Sequence, residues 1–361
     1  MVTNYLSPYR LPLYRLLAER YGVEPYCFGG EGVYVPEAFR DLDAQLAQAP
    51  FAHRLGSERE AAAVARRHEG VIATVAGRVA VPAAYLGARR ARRPFILWTS
   101  LWRHPRTAAH LASLPLMRHL YRRADAILTY GPHVSRYISR YRSSDAKVFV
   151  APQAVEPELF ARAVDRAEIE AWRAEVGLPA GALVLFAGRL VAEKGVDVLL
   201  SAWRALGAGE RASLCLVGDG PLAERSSRFR AANVVYAGRL PRERLPVAYA
   251  AADLVVVPSV STRRFLEPWG LVCNEAMSQE RPVIATTGVG AAAGGLVRDG
   301  ETGLVVPERD ELALAEAIRL LLEDSVLREH LGRQGKEALA AYSYSRAADA
   351  FGRALGSVGL A

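Results

Sequence analysis

The chain has 361 residues, 51% hydrophobic and 23% charged, enough for two ordinary domains of roughly 100–200 residues each. Its three cysteines, Cys27, Cys215 and Cys273, lie far apart without C-x-x-C spacing, which excludes a disulfide framework or a cysteine zinc site and suits a reducing cytosol. The net charge of +8 is uneven: residues 1–160 hold 22 Lys and Arg against 13 Asp and Glu, a net of +9, and the remainder nets −1.

That asymmetry suggests an anionic neighbour for the first half. Its dense spots are Arg89, Arg90, Arg92 and Arg93, then Arg118, Arg122 and Arg123. No interleaved aromatic or recognition motif accompanies them, which speaks against nucleic acid. A leaflet of anionic lipid or a phosphate-bearing acceptor is more economical; arginines on solvated helix faces are the plain alternative. The N-terminus lacks the features of a signal peptide, and no apolar run approaches the roughly 18–20 residues that span a bilayer. The expectation is a soluble, cytoplasmic protein whose contact with the inner face of the membrane is peripheral.

The first half alternates strand and helix signals. Residues 1–4 read as the tail of a strand whose front is missing, so the true start is expected upstream. A helix over 11–21 and a strand over 23–28 follow, then a Gly-rich irregular stretch to about Pro50. Further strands are expected at 71–75, 95–99, 126–130 and 147–150, with helices at 57–68, 79–92, 107–123 and 134–141. Short apolar strands separated by helices mean βαβ units and a parallel sheet. Ligands of such sheets sit beyond the carboxyl ends of the strands. Two loops there carry candidates: residues 4–10 (NYLSPYR) with Tyr9 and Arg10, and residues 99–105 (TSLWRHP) with Thr99 and His104. A lone histidine is more often structural, and His133 reads as a helix-start residue. Asp41 and Asp43 form a D-x-D in a partly helical stretch, where chance is a better account than a metal site.

Residues 151–157 hold two prolines within six residues and read as a hinge, followed by a polar helix and its lead-in over 159–176. A strand at 183–186 then meets Gly188-Arg189-Leu190-Val191-Ala192-Glu193-Lys194-Gly195 and a helix over 196–206. A glycine after a strand lets backbone approach a ligand, and two cations five residues apart clamp a diphosphate. The strand at 213–217 ends in Gly218-Asp219-Gly220, where Asp219 is a turn former. After a strand at 253–258 comes FLEPWGLVCNEAMSQERPVIA, residues 265–285. In it a loop with Glu267 runs into Gly270, a helix follows, Arg281-Pro282 breaks it, and a short strand closes the segment. A helix entrance suits a phosphate, and flanking carboxylates suit sugar hydroxyls, which need acceptors. One acid would hold a transferred sugar and the other a ribose; taken alone, Glu275 is as well explained as a solvent-facing residue of the first helical turns. Residues 286–295 form a Gly/Ala loop, 297–304 a turn between strands, and 312–322, 326–342 and 344–356 the last helices.

Glu267 and Glu275, seven residues between them, resemble the paired glutamates of the family 4 retaining glycosyltransferases (glycosyl transferases group 1). The surrounding Glu-Pro-Trp-Gly-Leu, Asn-Glu-Ala-Met and Arg-Pro-Val-Ile-Ala match as well. The resemblance is specific over residues 181–307 and general over the rest. It implies an α/β protein of the GT-B fold: two Rossmann-like domains facing each other across a cleft. Residues 1–155 would be the acceptor-side domain, 156–343 the nucleotide-sugar domain, and 344–361 a helix packing back on the first. In the family's G-R-x-x-x-x-K-G the matching Arg189 and Lys194 bind the donor diphosphate. Gly188, Gly218, Arg239, Leu240, Gly270 and Leu271 would lie against the donor, with Glu275 on the ribose and Glu267 on the sugar. Tyr9, Arg10, Thr99 and His104 would face the acceptor. Relatives often have a glycine pair in the first of those loops, absent here, and a histidine where Thr99 or Ser100 stands.

The implied activity is retaining, metal-independent hexosyl transfer from a nucleotide-diphosphate sugar, with UDP or GDP as the base, to an acceptor hydroxyl. It needs no cofactor, and its partner is a glycan or lipid-linked acceptor in cell-surface glycan or glycolipid synthesis. A GT-B nucleotide-sugar epimerase would need added acid/base residues near the sugar. A non-catalytic nucleotide-sugar-binding relative would normally have lost Arg189, Lys194 or a glutamate. A dinucleotide oxidoreductase would need Gly-x-Gly-x-x-Gly at a first βα turn, which neither half shows.

Overall fold

The computed structural model describes residues 1–29, 41–207, 212–224 and 233–360; much of the Gly-rich stretch expected before Pro50 lies outside them. The chain forms two compact units. Met1–His104, Ala108–Ala154 and the residues from Tyr342 onward make the first, and Pro105–Thr107 with Val155–Ala341 the second.

The first unit is a seven-stranded parallel sheet of β1 (Val2–Thr3), β2 (Tyr26–Cys27), β3 (His53–Arg54), β4 (Val71–Thr74), β5 (Phe95–Thr99), β6 (Ala126–Thr129) and β7 (Val148–Val150). Its order is β3-β2-β1-β4-β5-β6-β7. Strands β4, β5 and β6 are buried at every residue, as expected where helices cover both faces of a sheet. Alternation along β5 divides its side chains between two cores. Ile96 and Trp98 join Leu13, Leu17 and Phe351 on one face, and Phe95 and Leu97 join Val64, Leu120 and Ile127 on the other.

Helix Leu11–Tyr21 ends at Gly22, whose φ of 61° supplies the left-handed cap. Against it packs the last helix, Tyr344–Gly356, which buries Ala347, Phe351 and Ala354. The Phe351 ring stands edge-on to Trp98 at 5.0 Å, and Arg20 pairs with Asp349 at 3.1 Å. Strand β3 escapes a sequence reading because it has two residues, both exposed, with no apolar alternation to show. The D-x-D is accounted for locally. Asp41 caps helix Leu42–Ala47 by accepting from the Ala44 N–H at 2.9 Å, and Asp43 pairs with Arg54 at 2.5 Å.

The second unit is a six-stranded parallel sheet of β8 (Ala182–Ala187), β9 (Ala212–Val217), β10 (Val234–Gly238), β11 (Leu254–Val257), β12 (Val283–Thr286) and β13 (Leu304–Val306), in the order β10-β9-β8-β11-β12-β13. The direction of winding reverses between β8 and β11, the switch point at which doubly wound sheets hold ligands. Two differences from the sequence reading stand out. The Gly/Ala loop contains a helical turn, Gly290–Ala293, packed so closely that a Cβ on Gly290 would lie 2.1 Å from the Pro268 carbonyl oxygen. The turn over 297–304 therefore leads from that helical turn, not from a strand, into β13. A further helix, Leu245–Ala251, has six of its seven residues buried. With no polar face it gives no 3.6-residue alternation to read.

Candidate active site

The loops leaving the carboxyl ends of β8 to β11 are stitched into one surface. The Leu190 N–H donates to the Asp219 carbonyl at 2.8 Å, Gly218 to Gly238 at 2.8 Å, and Val260 to Glu193 at 2.9 Å. Two contacts require glycine. A Cβ on Gly218, at φ 143°, would fall 1.8 Å from the Gly188 carbonyl oxygen, and one on Gly195, at φ 70°, would fall 1.9 Å from that of Pro258. Asp219 accepts from the Gly220 N–H at 2.7 Å and so shapes its own turn. Beyond β10, Arg239 is exposed and Leu240 half-buried, while the Tyr236 hydroxyl donates to the Gly218 carbonyl at 3.2 Å.

This packing presents the two cations of the loop after β8. Lys194 Nζ donates to Glu267 Oε2, and Ser259 Oγ donates to the same oxygen at 3.0 Å. Glu267 is only 7% exposed, a position where losing either donor is costly. The Phe265 ring lies 5.9 Å from Nζ. Arg189 pairs with Glu193 more loosely, at 3.4 Å. The loop carrying Glu267 turns at Gly270, φ 94°, and Leu271 stands at the cap of helix Val272–Ser278.

Glu275, in the first turn of that helix, has different support. The hydroxyl of the fully buried Tyr249 donates to its Oε2 at 2.5 Å. Burial pushes the Glu275 carboxyl above the usual carboxylate range, with the Tyr249 hydrogen bond and the Arg242 charge acting against that rise. Burial next to this carboxylate likewise lifts the Tyr249 phenol well above its ordinary value. Trp269 Nε1 donates to Asn274 Oδ1 at 2.8 Å and ties loop to helix. Two cations that suit a diphosphate and two enclosed hydroxyl acceptors are thus gathered at one switch point.

The family described as glycosyl transferases group 1 matches residues 168–338. The alpha-D-kanosaminyltransferase of Streptomyces kanamyceticus is 30% identical over 274 residues, 72% of this chain and 68% of that one. The chain belongs to the group 1 glycosyl transferases. A D-inositol 3-phosphate glycosyltransferase of Corynebacterium glutamicum is 34% identical over 224 residues, 58% of this chain and 51% of that relative, so the chain spans about half its length. The fold is that of the GT-B enzymes, two Rossmann-like domains: the crystal structure of Anabaena HepE in complex with UDP superposes with a TM-score of 0.79 over 99% of this chain and 98% of that one, at 18% identity.

The remaining candidates of this group 1 glycosyl transferase lie in its first unit and have local partners. Thr99 ends β5 buried, its Oγ1 accepting from the Leu101 N–H at 3.3 Å. His104 Nε2 lies 2.6 Å from the His110 carbonyl oxygen, which ties the loop to helix Ala108–Arg123. His133 is buried at the start of helix Pro132–Ser139, its ring edge-on to Trp102 at 5.2 Å. The Tyr9 carbonyl accepts from the Tyr344 hydroxyl at 2.7 Å, and Arg10 donates to the Tyr130 hydroxyl.

The arginine cluster is less open than its sequence suggests. Arg89 pairs with Asp125 at 3.0 Å and donates to the Arg123 carbonyl, leaving Arg90, Arg92 and Arg93 outward. These three precede β5, on the edge of the parallel sheet opposite the loops that carry Arg10 and Thr99. Ser259, Tyr249 and Glu193 were missed in the sequence. Ser259 directly follows Pro258 at the end of β11, a position that would have flagged it; Tyr249 sits in the helix without a polar face and gave no signal.

Proposed function

We propose that the protein transfers a sugar from a nucleotide-diphosphate donor to an acceptor hydroxyl, with retention at the anomeric carbon and without a metal ion. The observation that carries this reading is the Lys194–Glu267–Ser259 cluster beside Arg189 at the β8/β11 switch point. Arg189, Lys194 and the amides of Gly270 and Leu271 meet the negative charge that grows on the departing diphosphate. Glu267 accepts from hydroxyls of the transferred sugar and Glu275 from the ribose, with Gly188, Gly218, Arg239 and Leu240 against the nucleotide. As the acceptor oxygen bonds to the anomeric carbon, the bond from that carbon to the diphosphate oxygen breaks. The acceptor's proton passes to the same departing oxygen, so no side-chain base is required. Tyr9, Arg10, Thr99 and His104 address the acceptor.

The HepE crystals hold UDP and UDP-glucose, which supports UDP as the first nucleotide to test. Thermal-shift and calorimetric titration with UDP, GDP, dTDP and ADP sugars tests the donor site. A ligand at a hundred times its dissociation constant adds about 2.7 kcal/mol of stability. Stabilisation by one nucleotide series is expected; indifference to all four would sink the reading. Donor incubated alone should not yield an epimerised sugar.

The acceptor is proposed to be a glycan or a lipid-linked sugar at the cytoplasmic leaflet, reached by a peripheral contact of the first unit. No helix of the described residues is long and apolar enough to cross a membrane. Helix Ala108–Arg123 shows Leu111 at 53% and Leu116 at 38% exposure, with Arg118, Arg122 and Arg123 also outward. A basic side chain near an anionic leaflet contributes about 1 kcal/mol, an attraction that fades beyond a Debye length of roughly 8 Å. The protein should sediment with anionic vesicles at low salt, and not with neutral ones or at high salt. Equal binding to both vesicle types, or none to either, would point to an acceptor away from the membrane.

A further inference from the structure

Arg10 is enclosed by aromatic rings in the first unit. It follows β1 and closes the short turn Pro8–Arg10 that opens helix Leu11–Tyr21. Its guanidinium carbon lies 4.8 Å from the Trp98 ring centroid, 5.2 Å from that of Tyr130 and 5.3 Å from that of Tyr9. One terminal nitrogen donates to the Tyr130 hydroxyl, and its buried Nε has no hydrogen-bond partner among the described residues. Burial opposes its charge, and the phenols of Tyr130, Tyr9 and Tyr14 act in the charge's favour. Among the described residues no carboxylate is paired with it, whereas most of the arginines that bond across this unit, such as Arg20, Arg54 and Arg89, reach Asp349, Asp43 and Asp125.

An enclosed cation without a counter-ion is costly, and ring faces recover only part of that cost. The place adds a second consideration. Trp98 lies in β5 and Tyr130 directly follows β6, so the cage stands at the carboxyl edge of a parallel sheet, where such sheets take ligands. Burial raises the Tyr130 phenol above its ordinary value. The hydroxyl that accepts from Arg10 therefore keeps its own proton at neutral pH and can donate it. A fixed guanidinium beside a protonated hydroxyl is a donor set for an oxyanion.

We propose that Arg10 and Tyr130 hold an oxyanion, a phosphate or a carboxylate, carried by the acceptor of the transfer reaction, so that the first unit selects acidic acceptors. This rests on reading the chain as a transferase, and the test keeps the two claims apart. The full chain is first saturated with whichever nucleoside diphosphate binds it, which occupies the Arg189 and Lys194 site. It is then titrated calorimetrically with inorganic phosphate and, separately, with acetate. Failure of every nucleotide to bind would count against the transferase reading; the second titration judges the oxyanion site alone.

At least one of the two anions should bind to the saturated protein, and the stronger of the two names the acceptor's acid. Arg10→Gln should weaken it tenfold or more, with the nucleotide affinity of the second unit as the control for folding. Should Arg10→Gln not fold, Tyr130→Phe keeps the charge and the ring while removing the hydroxyl, and should change the anion affinity by at least threefold. Neither anion binding to the saturated wild type would overturn the proposal. So would an anion affinity that folded Arg10→Gln leaves unchanged or, where that variant is unfolded, that Tyr130→Phe leaves unchanged.

Discussion

Lys194→Ala is expected to lower turnover by about a hundredfold or more, as loss of a transition-state donor does, and also to destabilise the second unit. The two effects have different origins. Turnover should fall because the cation proposed to meet the departing diphosphate is gone. Stability falls because Glu267, 7% exposed, loses the Lys194 ammonium that pairs with its carboxylate beside the Ser259 hydroxyl. Breaking a buried pair from one side costs about 3–5 kcal/mol, but the Lys194 side chain is 23% exposed, so about 1–3 kcal/mol is the fitting range after solvent screening. Arg189→Ala provides the contrast. Its pair with Glu193 is long, at 3.4 Å, and its side chain 34% exposed, so a change within about 0.5 kcal/mol is expected. Its turnover should still fall about a hundredfold. Steady-state turnover at saturating donor and urea midpoints on both variants check this. Near-normal turnover in both, with folding intact, would remove the clamp from the mechanism.

Legibility from sequence tracked how locally each feature is encoded. Helices Leu11–Tyr21 and Tyr344–Gly356 were readable to the residue, because each has an apolar stripe and its own end signal, Gly22 in one case and Ser343 in the other. Strands β4 to β6 and β11 show as short apolar runs between helices, and the Gly188–Gly195 loop and the two glutamates carry a spacing that one stretch of chain contains whole. What could not be read depends on contacts between distant segments. Ser259 matters through Glu267, and Tyr249 through a carboxylate 26 positions away. The Arg10 cage joins residues 10, 98 and 130. The arginine cluster shows the converse: four charges within five residues look like one patch, yet Asp125 on a neighbouring strand's approach takes one of them. Charge can be counted from sequence; its neutralisation by a distant carboxylate cannot.

Replacing the two glutamates should separate binding from transfer. Glu275→Ala removes the proposed ribose acceptor, and a hydrogen bond to a charged group is worth about 1.5–3 kcal/mol. Free nucleoside diphosphate should therefore bind roughly 10- to 100-fold more weakly. The same change leaves the buried Tyr249 hydroxyl without its acceptor, at a further stability cost of about 1–3 kcal/mol. Tyr249→Phe distinguishes the two contributions. It keeps the carboxylate but removes the hydrogen bond that opposes the upward push of burial, so the Glu275 carboxyl should rise further. Nucleotide affinity should then weaken as pH falls and recover as pH rises, because only the ionised carboxylate accepts from both ribose hydroxyls. Glu267→Ala should behave differently. A nucleoside diphosphate lacks the transferred sugar that Glu267 is proposed to hold, and Lys194 loses the carboxylate that neutralises it. Its ammonium is then fully available to the diphosphate, so nucleotide affinity should hold or tighten slightly while sugar transfer falls about a hundredfold. Calorimetry with the nucleotide, alongside transfer assays, decides the assignment. Weakened nucleotide binding in Glu267→Ala with normal binding in Glu275→Ala would show that the two acids have exchanged roles.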